Sequence, residues 1–477
     1  MIEVNKTKLE TSYYQRLSES QLEALHNASL EIMERTGVRF EDQEAIDILK
    51  KGGCDVTDGN LVHIPSWRVE WALSISPKQI ILYNQTGDPA IRLARYRTFF
   101  GNGSDLLRMI DHRTDATREP LLQDIIDIVR LLDALPHYDF IMSQYIPKDV
   151  PVEKVEVEQM RVMLEYTNKP IVYVTTDMHN TALDVEMAEA VAGGEDALRC
   201  KPFAACYINI SHPLRHNPDS VQKLIYLSRK RLPFVYRPSI TTRALTGPIT
   251  QAGFLAINNA AALAGLVLSQ MVREGAPYIR CCCPGGTFDM KTMVGLHSAP
   301  EIRGYNEALA NYYKTPGFGL GGSTASKVVD QQAALEAAIG LVTGVLAGGG
   351  LLHDVGYMAS STTGSLIQTA ICHEIIAWLK EYMGGLEISP ETLALDVINA
   401  VGSQGKFLEH EHTYRHFRED YYPELVDQGD YDSWVQSGSK TMKERAAEKV
   451  EKILAAHPAP PMDQALHQKL TAIIDKA

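Results

Sequence analysis

The 477-residue sequence contains no run of about 18 consecutive apolar residues. Its opening, MIEVNKTKLE, lacks the basic-then-apolar order of a secretory leader, so neither a membrane span nor export is predicted and a cytoplasmic chain is expected. Positive charge is in deficit: 46 Lys and Arg stand against 59 Asp and Glu, a net charge of −13. That balance excludes a nucleic-acid binder, which needs clustered cations for phosphate. Cysteine is scarce and odd in number, and Cys54, Cys200, Cys206, Cys281, Cys282, Cys283 and Cys372 lie mostly in apolar runs. No disulfide framework is predicted, and these residues read as reduced core groups. Also missing are G-x-S-x-G, C-x-x-C and H-E-x-x-H, which removes the usual signatures of serine hydrolases and zinc sites.

What is present is a rhythm. From about residue 96, short β-rich runs alternate with longer segments whose apolar residues recur every three or four positions. The strand candidates are 97–102, 139–146, 170–176, 203–210, 233–239, 277–283, 317–322 and 351–358. LLQDIIDIVRLLDAL, VEQMRVMLEY, ALDVEMAEAVAG and DSVQKLIYLSRK, lying between them, have helical spacing. Alternating strands and helices demand parallel pairing with right-handed crossovers. Eight such units in roughly 290 residues predict an α/β fold, a (β/α)₈ TIM barrel over residues 96–385. The competing architecture is an open doubly wound sheet, but GNGSDL (101–106) after the first strand fails the phosphate-binding G-x-G-x-x-G at its last position. Residues 1–95 read as an N-terminal helical cap, whose helices and the short apolar runs after them are expected to cover one barrel end, and 386–477 as a C-terminal helical extension. In the latter, an acidic, aromatic, His-rich link separates helices and HPAPPM precedes the last one.

Reacting groups in such a barrel come from the C-terminal strand ends and the loops that follow. That rule selects Asn102, Gln144, Tyr145, Thr175, Thr176, Asn209, Arg237, Cys283, Gly321 to Ser323, and His353 to Tyr357. His353-Asp354 and the run of three cysteines invite a metal reading, but neighbours on a strand face opposite sides, so no metal is predicted. Asp177-Met178-His179 begins like the D-x-H-x-x-G of corrinoid-binding domains, yet Ala182 replaces the final glycine and the segment starts a helix, so it reads as a cap. GGSTAS (321–326) reads as a strand end running into a helix cap. A lone tyrosine in a barrel is generally a packing group. Tyr96, Tyr145, Tyr207, Tyr236 and Tyr357 together suit a cationic ligand, because a quaternary ammonium has no N–H to donate and is recognised by π faces and shape. Arg237 or His353 would anchor a carboxylate on the same ligand.

TGPITQAGFLAINNAAALAGLVLSQ (246–270), TFDMKTM, SAPE, GGLLHDVGYM, KFLEHEHTYRHFRE and DSWVQSGSKTMKERA together resemble the trimethylamine:corrinoid methyltransferase family across essentially the whole chain. The resemblance implies a barrel that passes a methyl group from a methylated amine to the cobalt of a separate corrinoid protein. The corrinoid (cobalamin) then arrives on that partner, with none tightly bound here, and a homo-oligomer is expected. Archetypal members carry pyrrolysine near the end of the eighth strand; HDVGYM places that position at Gly356, an ordinary residue. The chain therefore resembles the branch without pyrrolysine, closest to glycine betaine methyltransferase. The chemistry agrees: a quaternary ammonium departs as a neutral amine without activation, whereas a tertiary amine needs help. The implied reacting set is Gly356, His353 and Asp354, with Gly356 leaving room for the trimethylammonium group. Tyr357, Asn209, Arg237, Tyr96, Tyr145 and Tyr207 form the implied substrate site. Regular alternation puts Asp354 and Gly356 on the lumen and turns His353 and Tyr357 away, unless the strand end bulges. The same chemistry on carnitine, butyrobetaine or proline betaine, or a non-catalytic betaine-binding protein, are the alternatives.

Overall fold

The computed structural model describes residues 13–238, 242–282, 286–295, 302–419 and 421–477. The eight β-rich runs become eight parallel staves. In chain order they are Phe99–Phe100, a short stave at 140–141, Ile171–Val174, Ala204–Ile210, Phe234–Pro238, Tyr278–Cys281, Gly317–Leu320 and Leu351–His353. Seven of them form one sheet, in which the first strand pairs with the eighth. Bridges from Gly101 to Phe140 and from Ile141 to Ile171 close the ring through the second stave. That stave is thin because a side chain replaces part of its ladder. Asn102 accepts the Met142 N–H at 2.7 Å through Oδ1, and its Nδ2 donates to the Met142 carbonyl (2.7 Å) and to Gln144 Oε1 (2.9 Å).

Period-two alternation divides each strand between two cores. Phe99, Phe140, Val172, Ala205, Tyr207, Val235, Ile279, Cys281, Phe318, Leu320 and Leu351 fill the lumen. Cys206, Ile208, Tyr236 and Leu352 face outward into the larger core beneath the helices. The hairpin Gln79–Tyr83 with Pro89–Ala94 pushes Ile80, Leu82, Ile91 and Leu93 into the lumen and plugs its N-terminal end.

This hairpin, made of the short apolar runs that follow the N-terminal helices, closes that end. Helices Glu19–Glu31, Gln43–Lys51 and Ser66–Ile75 pack instead on the barrel's flank against Gln251–Val272. Gln251–Val272 is rich in Ala and Leu and buried on nearly all sides, so it needs a second layer of cover. It is also the one described helix long and apolar enough to cross a membrane, and most of it lies inside the protein.

Beyond the strands' C-terminal ends, a four-stranded sheet built from Tyr357–Met358, Thr363–Ser365, Arg108–Ile110 and Thr117–Arg118 forms one side of the rim. At the other end of the chain, Met442–Ala456 packs on Leu366–Gly384 and Leu122–Ala134, and Gln464–Ile474 packs on Met178–Ala192. Five of the cysteines are buried and reduced, as expected, while Cys200 is exposed at the end of its helix; Cys283 lies outside the described residues.

Candidate active site

The last regular residue of the eighth strand is His353, on the same face as Leu351, so it points into the lumen. Its ring lies 4.3 Å from that of Phe318 and 5.7 Å from Tyr207. A carbonyl can only accept, so the 2.6 Å contact to Gly319 O puts a proton on Nδ1. Nε2 faces Asp354 Oδ1 at 3.4 Å. Both ring nitrogens thus face oxygen atoms.

Asp354 has φ 64° and Gly356 φ 89°, which breaks the alternation. Asp354 is thereby swung to the mouth beside His353. Tyr357 follows it, donating its hydroxyl to the Ser104 carbonyl. The expectation from strict alternation is corrected on two counts: His353 and Tyr357 reach the mouth, and Gly356 does not. A Cβ at Gly356 would lie 2.7 Å from Thr369 Oγ1 and 3.2 Å from Thr369 Cα, in the helix behind the strand. Glycine is required there by the left-handed turn and by close packing on that helix.

On the opposite wall, Arg237 on the fifth strand donates through Nη1 to the Tyr207 hydroxyl at 2.6 Å, its guanidinium carbon 5.8 Å from the centre of that ring. Asn209, two residues beyond Tyr207 on the lumen face, is nevertheless solvent-exposed, so the barrel is hollow at this level. The same hollow receives Asp105, from the loop after the first strand. Gly103 makes room there, since a Cβ on it would overlap Tyr357 Oη and Asp354 Oδ1. Asp105 is open to solvent at the mouth yet walled in by protein. That confinement, with the nearby Glu156 and Asp354 carboxylates, raises its carboxyl to about 6. Burial also raises Glu156, whose Oε1 accepts the Thr176 N–H at 2.8 Å. Burial first, then the charges of Asp354 and Asp105, hold the Tyr357 phenol far from ionisation.

Two expected site residues lie elsewhere. Tyr96 precedes the first strand and so sits at the plugged end, where it stacks on Tyr13 at 4.4 Å and lines a cleft of about 680 Å³. Tyr145 is fully buried and points away from the lumen, into the outer core beneath the rim sheet, with its hydroxyl pressed toward Gly364. Both lie too far along or outside the strand for their rings to meet the ligand space. The hollow instead gathers His353, Asp354, Tyr357, Tyr207, Arg237 and Asn209 from the expected set, and adds Asp105, Glu156 and Phe318. Asp105 was hidden in GNGSDL, a segment tested only for phosphate binding. An acidic residue two positions after a Gly-x-Gly strand exit is the signal that locates it.

The remaining motifs resolve as structural. Asp177 caps its helix by accepting the Asn180 N–H at 2.8 Å, and His179 Nε2 lies 3.2 Å from the Lys476 carbonyl. After GGSTAS, the cap is Asp330, which accepts from Ala333 at 3.0 Å. Among the described residues, one group of metal-capable side chains assembles, Glu391 with His412 and His416. It lies in the C-terminal extension, where Arg415 also holds Glu391 at 2.9 Å.

Among the described residues, the mouth of this parallel barrel brings carboxylates and tyrosines together with Arg237, the arrangement of a barrel enzyme's active site. Residues 2–477 match the trimethylamine methyltransferase (MTTB) family, and the chain belongs to it. It is 30% identical to trimethylamine methyltransferase MttB of Desulfitobacterium hafniense (strain DSM 10664 / DCB-2), covering 100% of this chain and 96% of that protein. It is 29% identical to MttB2 of Methanosarcina mazei, over 96% of this chain and 94% of the relative. A glycine betaine methyltransferase of D. hafniense (strain Y51) is 28% identical, over 97% and 96% of the two chains. The chain is thus a methyltransferase of a family that passes its methyl group to a corrinoid protein.

Proposed function

We propose that this methyltransferase demethylates a quaternary ammonium carboxylate, glycine betaine first, and delivers the methyl group to the cob(I)alamin of a separate corrinoid protein. The observation that carries the reading is the pairing of an acidic, aromatic wall (Asp354, Asp105, Tyr357, Tyr207) with Arg237 across one hollow. Trimethylamine has no second pole for the arginine to hold. A betaine has both, and the sequence carries standard residues throughout, which suits a substrate whose leaving group needs no activation.

In the reaction, the C–N bond breaks with its electron pair remaining on nitrogen, so dimethylglycine leaves as a neutral amine. The methyl carbon bonds to cobalt, which supplies the other pair and passes from Co(I) to methyl-Co(III). The positive charge on nitrogen disappears along this path. Carboxylates beside it therefore favour the bound ammonium over the transition state, and their work is binding. Rate comes from holding the methyl group in line at the open mouth and from keeping water out.

Two expectations follow from this division of labour. Asp354→Asn preserves shape and tolerates φ 64°, because Asn readily adopts left-handed backbone. It should weaken glycine betaine binding by at least roughly fivefold, since one charge about 4 Å away is worth about 1 kcal/mol in water and about 4 kcal/mol at an effective dielectric of about 20. Its kcat should be unchanged or higher; a fall in kcat with unchanged binding would make Asp354 a participant in chemistry instead. Second, calorimetric affinity for glycine betaine should fall as the pH is lowered through about 6, where Asp105 takes up a proton and ceases to attract the cation. Asp105→Asn should erase that step, and a step that survives the substitution assigns it to another group.

The surface proposed to receive the corrinoid protein is the barrel rim. Leu107 after the first strand, Leu245 and Ile249 after the fifth, and Met290 and Met293 after the sixth stand exposed around the mouth. Flexible methionine and scattered leucine suit a partner that must dock and leave. The direct test of the reading is methylation of the reduced corrinoid by glycine betaine, followed by the loss of the Co(I) spectrum. Methylation excludes the non-catalytic binding reading, binding without methylation supports it, and carnitine, butyrobetaine and proline betaine are compared in the same assay.

A further inference from the structure

In the C-terminal extension, Glu391, His412 and His416 bring one carboxylate oxygen and two ring nitrogens within 4.8 Å of one another. The sequence spaces the histidines for this. His412 and His416 stand one turn apart on helix Glu411–His416, so both rings share a face, with centroids 4.3 Å apart. Glu391 comes from the separate helix Pro390–Leu393. Its Oε1 lies 3.1 Å from His416 Nε2, and its carbonyl 3.2 Å from His412 Nε2. Ligands bonded tetrahedrally to zinc at about 2.0–2.2 Å stand about 3.3–3.6 Å from one another, so the His416–Glu391 pair is already near the separation an ion needs. On the far side of the ring, Glu419 Oε2 accepts from His416 Nδ1 at 2.8 Å. A carboxylate behind one imidazole nitrogen is the contact that orients a metal-ligating histidine with its other nitrogen toward the ion.

Apolar packing gives these two helices no support. Pro390–Leu393 and Glu411–His416 bury no residue, and neither does Leu395–Val401 between them. Helices this short do not persist alone in water. Exposed ion pairs such as Arg415 with Glu391 add little. We propose that Glu391, His412 and His416 hold one divalent transition ion, Zn²⁺ in the first place, which fastens Pro390–Leu393 to Glu411–His416. Two imidazoles in the set select against Mg²⁺ and Ca²⁺, which take oxygen ligands. Arg415 does not stand in the way: a carboxylate has two oxygens, so Glu391 can serve the guanidinium and the ion together. Three protein ligands leave the fourth position to water. A segment that lacks an apolar core of its own thereby folds on its metal.

Calorimetric titration of the untagged, chelator-treated full chain with zinc chloride tests this without any methyl-transfer readout. The wild type is expected to bind a single equivalent with submicromolar affinity. His412→Gln with His416→Gln should abolish that binding, and Glu419→Gln should weaken it about 10- to 100-fold, as loss of a carboxylate behind a ligating histidine does. None of these side chains is buried, so thermal unfolding of the metal-free barrel should be the same in every variant. His179→Gln, at an exposed histidine on helix Met178–Ala192, should leave binding intact. Zinc should also slow tryptic cleavage after Lys406, Arg415 and Arg418 in the wild type and not in the double variant. A wild type that binds no zinc, binding that survives the double substitution, or binding lost equally with His179→Gln overturns the inference. So does zinc that binds and leaves cleavage at those three sites unchanged.

Discussion

Replacing Arg237 with methionine is expected to raise the KM for glycine betaine roughly 10- to 100-fold, the equivalent of a charge-assisted hydrogen bond of about 1.5–3 kcal/mol. With tetramethylammonium, which has the same cationic head and no carboxylate, KM should be unchanged or lower. The comparison matters because Arg237 also holds the Tyr207 hydroxyl at 2.6 Å, and its removal disturbs that wall for every substrate. A disturbance of the wall acts on both substrates; loss of a carboxylate anchor acts on one. Methionine keeps the apolar stem and removes the fork of donors, so the ratio of the two KM values isolates the anchor. An equal rise for both substrates would assign Arg237 to packing.

The second large effect is on folding. Gly356→Leu should prevent accumulation of folded protein or lower its denaturation midpoint sharply. A leucine held at φ 89° is strained by about 1–2 kcal/mol, and overlap with the neighbouring helix adds about 1–3 kcal/mol. Against a typical stability of about 5–15 kcal/mol, that is a large fraction. Gly356→Ala should show the same sign with a smaller effect. Chemical denaturation followed by circular dichroism checks both. A folded Gly356→Leu protein with a wild-type midpoint and no turnover would return Gly356 to the lumen.

These two residues also show what could be read from sequence. The alternation of apolar runs with helical periodicity located all eight staves, because strand and helix periods differ and neither is easily mistaken over a whole barrel. The lumen positions of Tyr207, Arg237 and Asn209 follow from counting by two along one regular strand and its neighbour. The eighth strand defeated the same count. Asp354 is not glycine, yet it adopts a left-handed backbone, and one such residue reverses the parity of everything after it. Counting back from Gly356 turned His353 and Tyr357 away, though a bulge kept all four residues as candidates, and Gly356 was taken for ligand space when it is packing space. Tyr96 was misplaced for a simpler reason: it precedes its strand, and a strand has two ends. Asp105 and Glu156 went unseen because each matters only once loops from the first and second strands are brought beside the eighth.

The distribution of charge in the hollow gives the account its chemical content. In the proposed reaction, carboxylates at Asp354 and Asp105 hold the cation, the guanidinium of Arg237 holds the anion, and the methyl group is left facing the open mouth. The most direct test is a competition in one vessel, with methyl-labelled glycine betaine and trimethylamine at equal concentration over the reduced corrinoid protein. The account predicts dimethylglycine and methyl-cobalt formed in equal amounts, with no dimethylamine. Dimethylamine as the amine product, with glycine betaine untouched, would contradict it.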